Sequence, residues 1–470
     1  MLKLPFFGRR RHEKVVNGRR VAARYDAAVT NRDNARHWAA ADLLSADAAA
    51  NPSVRQTLRS RARYEVANNS YAKGIVLTLA NDSVGTGPRL QMLSGNPEVD
   101  KAVERDFRAW AKWTGLAAKL RTMRMARCQD GEAFGMIVRN PHPPEGTPVQ
   151  LDLLLVEADR ITSDMGGRGE DVDGVYFDKS GNPSGYRVLK RHPGGDAVGG
   201  VSDAVIVPAR YMVHAFRADR PEQHRGVPEI VAALPLFAQL RRYTQAVLAA
   251  AEAAADFAGI IYTDAPPGGE SDAVDPMDYV QLERNMLLTM PGGWKMSQLD
   301  PKQPATSYAE FKHEILNEIA RCLNIPYNIA ACNSSGYNYA SGRLDHQTYF
   351  KSIKVDREFT ESVVLDKILD VWLREWSLSC GPDVAKAPHM WFWDGNEHVD
   401  PQKEANAQSK RLESMTTTLA DEYARQGKDW EMELRQIARE RELMKELGIP
   451  PPGKSAEESD GKTKDEDETD

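Results

Sequence analysis

The feature that most constrains the fold is a run of apolar residues that alternate at spacings of four and three. The run follows Pro235, which suits the first turn of a helix because an N–H there would have no partner. A helix over 236–258 would be about 35 Å long. A single row of apolar residues along so long a helix, here called the seam, requires a neighbouring helix from the same chain or from another copy. A buried core helix of an ordinary domain fits the same periodicity. The seam residues are Leu236, Leu240, Tyr243, Val247, Ala250, Ala254 and Phe257.

The composition is that of a large soluble protein. The chain has 470 residues, of which 41% are hydrophobic and 27% are charged. At roughly 150 residues per domain, about three lobes are expected. The sequence contains no run of about 18 apolar residues that would cross a bilayer. The four cysteines show no C-x-x-C spacing, which favours a reducing compartment over a disulfide framework.

The charge is unevenly distributed along the chain. Lys and Arg number 61 against 68 Asp and Glu, a net charge of −7. Residues 1–140 alone carry 25 basic against 13 acidic side chains. This basic lobe is either simply solvated or close to an anionic partner. A pI near 5.9 disfavours a protein that clamps DNA, because tight binding needs many contacts from Lys and Arg to phosphates. It suits a surface that DNA slides past.

The first lobe is predicted to be helical and the second β-rich. Helices are expected over 19–50, 54–79 and 98–113. From 132 to 216 the pattern changes to short apolar runs bounded by Gly, Pro and Asp, which is typical of strands. Residues 178–182, between two such runs, predict a hairpin turn. The expected strands are 133–138, 151–156, 174–177, 185–189 and 211–216.

A second regular helix is predicted after a segment rich in Pro, Gly and Asp, 264–304, which suggests a protruding lobe. Ser307 and Glu310 have the spacing of a capping box, and the helix would extend to residue 323. Its apolar face consists of Phe311, Ile315, Ile319 and Cys322. Its opposite face carries Glu310, Glu314 and Glu318.

The remainder of the chain is predicted to be mostly helical. A polar loop over 333–343 precedes a long amphipathic helix, or helix pair, that extends to about 378. After an aromatic run at 391–393, charged helices are expected over 402–448. Residues 449–470 are strongly acidic and lack large apolar side chains beyond Ile449, so this tail is predicted to be disordered.

One nucleotide-binding pattern, G-x-x-x-x-G-K-[ST], occurs at 448–455. That loop binds phosphate through consecutive backbone N–H groups between a strand and a helix. Three prolines at 450–452 remove three such donors, and the preceding residues predict a helix. A nucleotide hydrolase using Lys454 is therefore the weaker alternative. No H-E-x-x-H or G-x-S-x-G motif occurs, and the histidines and cysteines lack metal-ligand spacing, so no catalytic residue, cofactor or metal is expected.

Several strings, taken in order, resemble the lambda-type family of portal proteins from tailed bacteriophages. The resemblance covers roughly residues 19–448 and depends on the order and spacing of strings that are individually weak. The strings are 59–64 with 68–72, 81 with 84–87, 130–134, 216–228, 338–343 and 399–404, followed by 427–429 and 439–440. Ala340 and Gly342 depart from the Ser-rich string of relatives.

The resemblance implies an α+β, predominantly helical subunit of the portal type, with wing, stem, clip and crown. About twelve copies would form a ring, whose closure needs two different patches on each subunit. The implied map is a basic arm (1–18), wing (19–227), first stem helix (228–263), clip (264–304), second stem helix (305–325), tunnel loop and wing helix (326–380), crown (381–448) and acidic tail (449–470).

The resemblance also implies roles for individual residues. Leu236, Leu240, Tyr243, Val247, Ala254 and Phe257 would pack the stem. Glu310, Glu314 and Glu318 would line the channel and repel phosphate, although the same face is equally compatible with solvation or with ion pairs between subunits. The tunnel-loop candidates for contact with DNA are Asn333, Tyr337, Asn338, Tyr339 and Arg343, where an inter-subunit role for Arg343 is an open alternative.

The implied function is a non-enzymatic head–tail connector at one capsid vertex, in the virion and, during assembly, in the host cytoplasm. The implied partners are other copies of the chain, the terminase large subunit, the major capsid and scaffold proteins, a head-completion or tail adaptor, and double-stranded DNA in the channel, with no membrane. A helical scaffold unrelated to phage is a third hypothesis.

Overall fold

The computed structural model describes residues 14–16, 19–21, 32, 35–164, 171–195, 203–256, 260–263, 294–297, 307–395 and 401–449. The fold is α+β and predominantly helical. The helices are α1 (Ala46–Ala49), α2 (Pro52–Asn68), α3 (Ser70–Val84), α4 (Pro97–Thr114), α5 (Leu116–Asp130), α6 (Leu234–Asp256), α7 (Ser307–Cys322), α8 (Tyr327–Ala330), α9 (Tyr339–Thr360), α10 (Asp366–Cys380), α11 (Pro401–Glu413), α12 (Leu419–Arg425) and α13 (Trp430–Glu446).

The strands of the described residues pair in five antiparallel sheets, with the orders β1–β2, β10–β4–β5, β6–β7–β8–β9, β13–β3 and β11–β12. They are β1 (Lys14–Val16), β2 (Arg19–Val21), β3 (Arg89–Met92), β4 (Glu132–Arg139), β5 (Leu151–Val156), β6 (Asp171–Val172), β7 (Val175–Phe177), β8 (Pro183–Leu189), β9 (Ala204–Pro208), β10 (Met212–Phe216), β11 (Ile260–Thr263), β12 (Trp294–Ser297) and β13 (His389–Phe392).

The predicted helix over 19–50 is wrong for the described part of that range. Residues 19–21 form β2, which pairs with β1, and residues 35–45 are exposed and non-helical. Only α1 is helical there. The Ala and Arg content that suggested a helix contributes little per residue, and a helix without an apolar face to bury is marginal in water.

The predicted helix over 54–79 is two helices, α2 and α3. Asn69 lies between them with an extended backbone, and its side-chain oxygen accepts hydrogen bonds from the N–H groups of Tyr71 and Ala72. This is the N-cap arrangement that asparagine favours, so Asn69 ends α2 and begins a second helix. The helix predicted over 98–113 is confirmed as α4, whereas α5 was not predicted.

The β-rich lobe is confirmed. All five predicted runs are strands within two residues of the expected bounds. The turn over 178–182 joins β7 to β8, with the N–H of Asp178 donating to the carbonyl of Asn182 at 2.8 Å. Gly181 has a φ of +82° there, a conformation that glycine adopts without steric strain.

The aromatic run at 391–393 belongs to the core of the first lobe. Strand β13 pairs with β3, and Trp393 is buried in the same core as α4 and α10. Within that core the rings of Phe107 and Trp110 lie 5.3 and 6.3 Å from the ring of Trp372. The chain therefore returns to its first lobe between α10 and the C-terminal helices.

A second core joins the long helices. It contains Ile75 of α3, Phe237 of α6, Ile319 of α7 and Tyr349 of α9. The helix pair expected up to 378 is confirmed as α9 and α10, joined by a π-helical turn at Glu361–Leu365. The charged C-terminal helices are confirmed as α11, α12 and α13.

Candidate functional site

Helices α6 and α7, the two predicted stem helices, pack against each other within one chain. The ring of Tyr243 on α6 lies 5.7 Å from that of Tyr308 and 4.5 Å from that of Phe311, both on α7. The hydroxyls of Thr244 and Tyr308 are 3.2 Å apart. The seam thus has a partner helix in its own chain over the turns around Tyr243.

The described residues of the seam differ in burial. Leu240 is buried, whereas Leu236, Tyr243 and Val247 are half-buried. The side chain of Ala254 and the whole of Phe257 lie outside the described residues. Phe237, which the apolar periodicity did not include, is fully buried. The start of α6 also packs against α2, so the buried surface of α6 there is wider than the seam alone.

The acidic face of α7 is exposed. Glu310, Glu314 and Glu318 are all exposed, while Ile315 and Ile319, on the other side, are buried. Within the part of the chain that the structure describes, the only side-chain contact of these carboxylates is local, between Glu314 and the ring of His313 at 3.3 Å. A face of this kind is free to meet solvent, DNA or another subunit.

The polar loop before α9 is held by its own hydrogen bonds. Asn333 accepts from the N–H of Ser335 at 2.9 Å, and Asn338 caps α9 by accepting from the N–H of Ser341 at 2.8 Å. Tyr337 is half-buried, and burial raises the pKa of its hydroxyl. Tyr339 is the first residue of α9, and its side chain lies outside the described residues.

A buried ionic network lies beside the start of α6, and sequence reasoning missed it. Arg225, which is fully buried, donates to both carboxylate oxygens of Glu132 at 2.6 and 2.9 Å, and to Asp173 at 3.0 Å. Arg59 of α2 donates to Glu132 at 3.2 Å, and Arg55 pairs with Asp173. The network ties α2, β4 and the chain preceding α6 into one unit.

Two glycines allow the backbone segments that carry this network to lie in direct contact. A Cβ on Gly226 would lie 2.1 Å from the carbonyl oxygen of Gly131, and a Cβ on Gly131 would lie 2.4 Å from the carbonyl carbon of Val227. Gly131 also has a φ of +89°. The strings 130–134 and 216–228 therefore meet backbone to backbone, which explains the need for glycine at both positions.

The network holds its carboxylate in the charged form. Burial opposes ionisation of Glu132, but the Arg225 guanidinium and the hydrogen bond from His214 outweigh it, and the pKa of Glu132 is well below its usual range. Burial lowers the pKa of His214, which lies 3.1 Å from Glu132. A charged carboxylate with several partners is stable in a dry site only while those partners stay in place.

A second buried network joins α5 to α9. Arg124 and Arg127 each donate to Glu229, at 2.9 and 3.0 Å, and to Asp356, both at 2.7 Å. The hydroxyl of Ser83 also donates to Asp356 at 2.7 Å. Arg124 and Arg127 share the buried face of α5 with apolar residues such as Leu120 and Met123. Because their charges are paired, a helix with a polar sequence packs inside the protein. This is why α5 escaped prediction.

Because of the second network, we expect the folded protein to lose stability in acid. Burial opposes ionisation of Asp356, but Arg124 and Arg127 lower its pKa to about 2. Since this is below the ordinary value near 4, the ionised group stabilises the fold above about pH 4, and the contribution of about 2 kcal/mol is lost as the pH falls toward 2. Urea unfolding at each pH measures it. Asp356→Asn should flatten this part of the profile, whereas Asp370→Asn, at an exposed site, should not.

Three side chains among the described residues, Glu157, Asp159 and His192, lie close enough together to be considered as ligands of a metal ion. Carboxylates of Glu157 and Asp159 lie 2.9 and 3.7 Å from the ring of His192. Asp159 already pairs with Arg59 at 3.0 Å and with Arg63 at 2.7 Å. Because two guanidinium groups neutralise this carboxylate, ion pairs account for the cluster.

The nucleotide-binding pattern at 448–455 lies mostly outside the described residues. Gly448 follows helix α13, and residues 450–455 are not described.

The described residues contain no helix that is both long and apolar enough to cross a bilayer. The profile of the family described as "Phage portal protein, lambda family" matches residues 31–357. The chain belongs to this lambda family of phage portal proteins. The resemblance first recognised from short strings is thereby confirmed. The two buried networks connect α2, α5, β4 and α9 to the segment that precedes α6.

One curated protein and two solved structures are also similar to this chain. The "Probable portal protein" of Halomonas phage phiHAP-1 is 28% identical over 446 residues, which cover 87% of this chain and 84% of that protein. Two solved structures align with low similarity. The neck of a native gene transfer agent particle, computed with C12 symmetry, has a TM-score of 0.44 at 15% identity and covers 85% of this chain and 95% of its own. The neck of an empty particle, computed with C6 symmetry, has a TM-score of 0.45 at 16% identity and covers 83% and 93%.

Proposed function

We propose that this chain is the subunit of a portal ring at one vertex of a phage capsid. The ring docks the terminase motor and conducts double-stranded DNA during packaging and ejection. Membership of the portal family carries this proposal. Capsid and scaffold proteins contact the ring during assembly in the host cytoplasm, and a tail adaptor contacts it in the virion. The role requires no cofactor or catalysis.

We also propose a map of the ring along the chain. Residues 19–227 form the wing, α6 and α7 lie in the stem segments 228–263 and 305–325, and 264–304 form the clip. The loop before α9 and the first residue of α9 face the passage, where Asn333, Tyr337 and Tyr339 contact passing DNA. Asn338 holds the loop on α9, and Arg343, one turn further along, takes the alternative role of a contact between subunits. Because β13 pairs with β3 of the wing, we place the start of the crown at α11 rather than at residue 381.

Val247→Asp tests the stem. Val247 is only half-buried in one subunit, so the folded subunit should survive, whereas an unpaired carboxylate placed between stems should prevent or strongly weaken ring formation. Mass photometry and negative-stain microscopy of the purified chain measure ring assembly. Gln245→Asp introduces the same charge at an exposed position of the same helix and should assemble as the wild type does. Normal rings from Val247→Asp would show that the seam does not pack the ring.

The proposed function itself fails if the wild-type chain stays monomeric under every assembly condition. It fails equally if its particles have no central passage wide enough for a DNA duplex.

A further inference from the structure

Helix α9 carries a basic stripe on the side that faces away from the core. Arg343, Lys351 and Lys354 are exposed and lie on one face with Gln347 between them. Among the described residues, none of the three has an ion-pair partner. Two exposed apolar side chains flank the stripe, Leu344 at 65% and Val355 at 64% exposure. We call this surface the basic stripe.

Helix α7 carries the complementary surface. Glu310, Glu314 and Glu318 recur every four residues on its exposed side, and Phe311, next to them, is 45% exposed. We call this surface the acidic stripe. Glu310 and Glu318 are eight residues apart, as are Arg343 and Lys351, which on a helix is about 12 Å in each case. The charges therefore match in sign and in spacing.

The two stripes are fixed relative to each other within the subunit. Ile319 and Ile315, behind the acidic stripe, and Tyr349 and Ile353, behind the basic stripe, belong to the same buried core. No ion pair among the described residues joins α7 to α9, so the stripes do not satisfy each other inside one chain. A ring closed by rotation needs such an arrangement, namely two different and complementary patches held rigidly on one subunit.

We propose that the acidic stripe of one subunit binds the basic stripe of the next subunit. This inference rests on the proposed portal ring and adds which surfaces form its lateral contact. It assigns the three glutamates to ion pairs between subunits instead of to the channel wall. Leu344, Val355 and Phe311 become covered in the same contact, and the exclusion of water around them strengthens the charge pairs.

Charge reversal tests the pairing. The variant Glu310→Lys/Glu318→Lys has two basic stripes, and Lys351→Glu/Lys354→Glu has an acidic one in place of its basic stripe. Each alone should associate at least about tenfold more weakly than the wild type in mass photometry at low salt, because like charges then oppose each other. Lys179→Glu, in the exposed turn after β7, is the control and should assemble normally. Unchanged circular dichroism and thermal unfolding show that each variant subunit is folded.

Mixing the two variants gives the decisive measurement. In an equimolar mixture, the two variants can alternate around a ring. At one contact the reversed α7 of the first variant then meets the reversed α9 of the second, and at the next contact the unchanged α7 of the second variant meets the unchanged α9 of the first. Every contact again joins opposite charges, so rings should form. Such rescue would support the proposal. Normal assembly of either variant alone would overturn it, and normal rings from the Glu310→Lys/Glu318→Lys variant would favour channel lining. No rescue on mixing would also overturn it. If the wild type forms rings in these experiments, the proposed function stands whatever the variants do.

Discussion

Arg225→Met is expected to lower the free energy of unfolding of the subunit by about 3–5 kcal/mol. Arg225 is fully buried and pairs with Glu132 and Asp173. Removing the guanidinium leaves Glu132 without its main partner, and Asp173 with Arg55 alone, in a site that excludes water. The loss therefore reflects mainly the desolvation of these carboxylates. Urea or thermal unfolding followed by tryptophan fluorescence measures the change.

A paired substitution separates this explanation from a simple packing defect. Arg225→Met combined with Glu132→Leu removes both members of the main pair, while Asp173 keeps Arg55 and Asp159 keeps Arg59. The double variant should regain a large part of the lost stability, since an apolar replacement of a buried pair is often tolerated. Arg435→Met, at an exposed pair with Glu431, should change little. A double variant as unstable as the single one would contradict the electrostatic explanation.

Gly226→Ala is the second change with a large expected effect. A Cβ at this position would lie 2.1 Å from the carbonyl oxygen of Gly131 and 2.6 Å from its carbonyl carbon. Because the obstacle is backbone, no side-chain rotation relieves it, and the segment that carries the N–H bond from Gly226 to Glu132 must shift. The expected loss is about 3 kcal/mol or more in the free energy of unfolding.

Gly74→Ala is the matched control. Gly74 lies inside α3 with no atom within 4 Å of its added Cβ, and alanine is favoured over glycine by about 1 kcal/mol in a helix. The same substitution should therefore stabilise the protein at Gly74 and destabilise it at Gly226 in parallel urea titrations. Equal effects at both positions would show that the backbone contact between the two strings is not tight.

Both predictions concern the segment that leads into α6, the first of the two proposed stem helices. The chain passes from Gly226 through Glu229, which pairs with Arg124 and Arg127, into α6. Buried charges on each side of this short segment set its path relative to α2, α5 and β4. We infer that loss of either network misplaces α6 and hence the contacts between neighbouring subunits, so ring assembly should decline together with the stability of the subunit.

Local periodicity was enough to predict much of the fold. The strands of the β-rich lobe and the helices α4, α6 and α7 follow from which residues are apolar, because a strand repeats every two residues and a helix every 3.6. The same signal separated the buried Ile315 and Ile319 from the exposed Glu310, Glu314 and Glu318. Composition, not periodicity, suggested the helix over 19–50, and in the described part of that range only α1 is helical.

The sequence by itself determined the helical and strand periodicities and the strings that indicate the family, because these are local properties of neighbouring residues. Only the tertiary structure decided which charges are buried and with which partners. Arg225 and Glu132 are 93 residues apart, and nothing near either one indicates the other. It also decided that Gly131 and Gly226 touch and that Phe237 faces the core, since both depend on how complete elements pack in three dimensions.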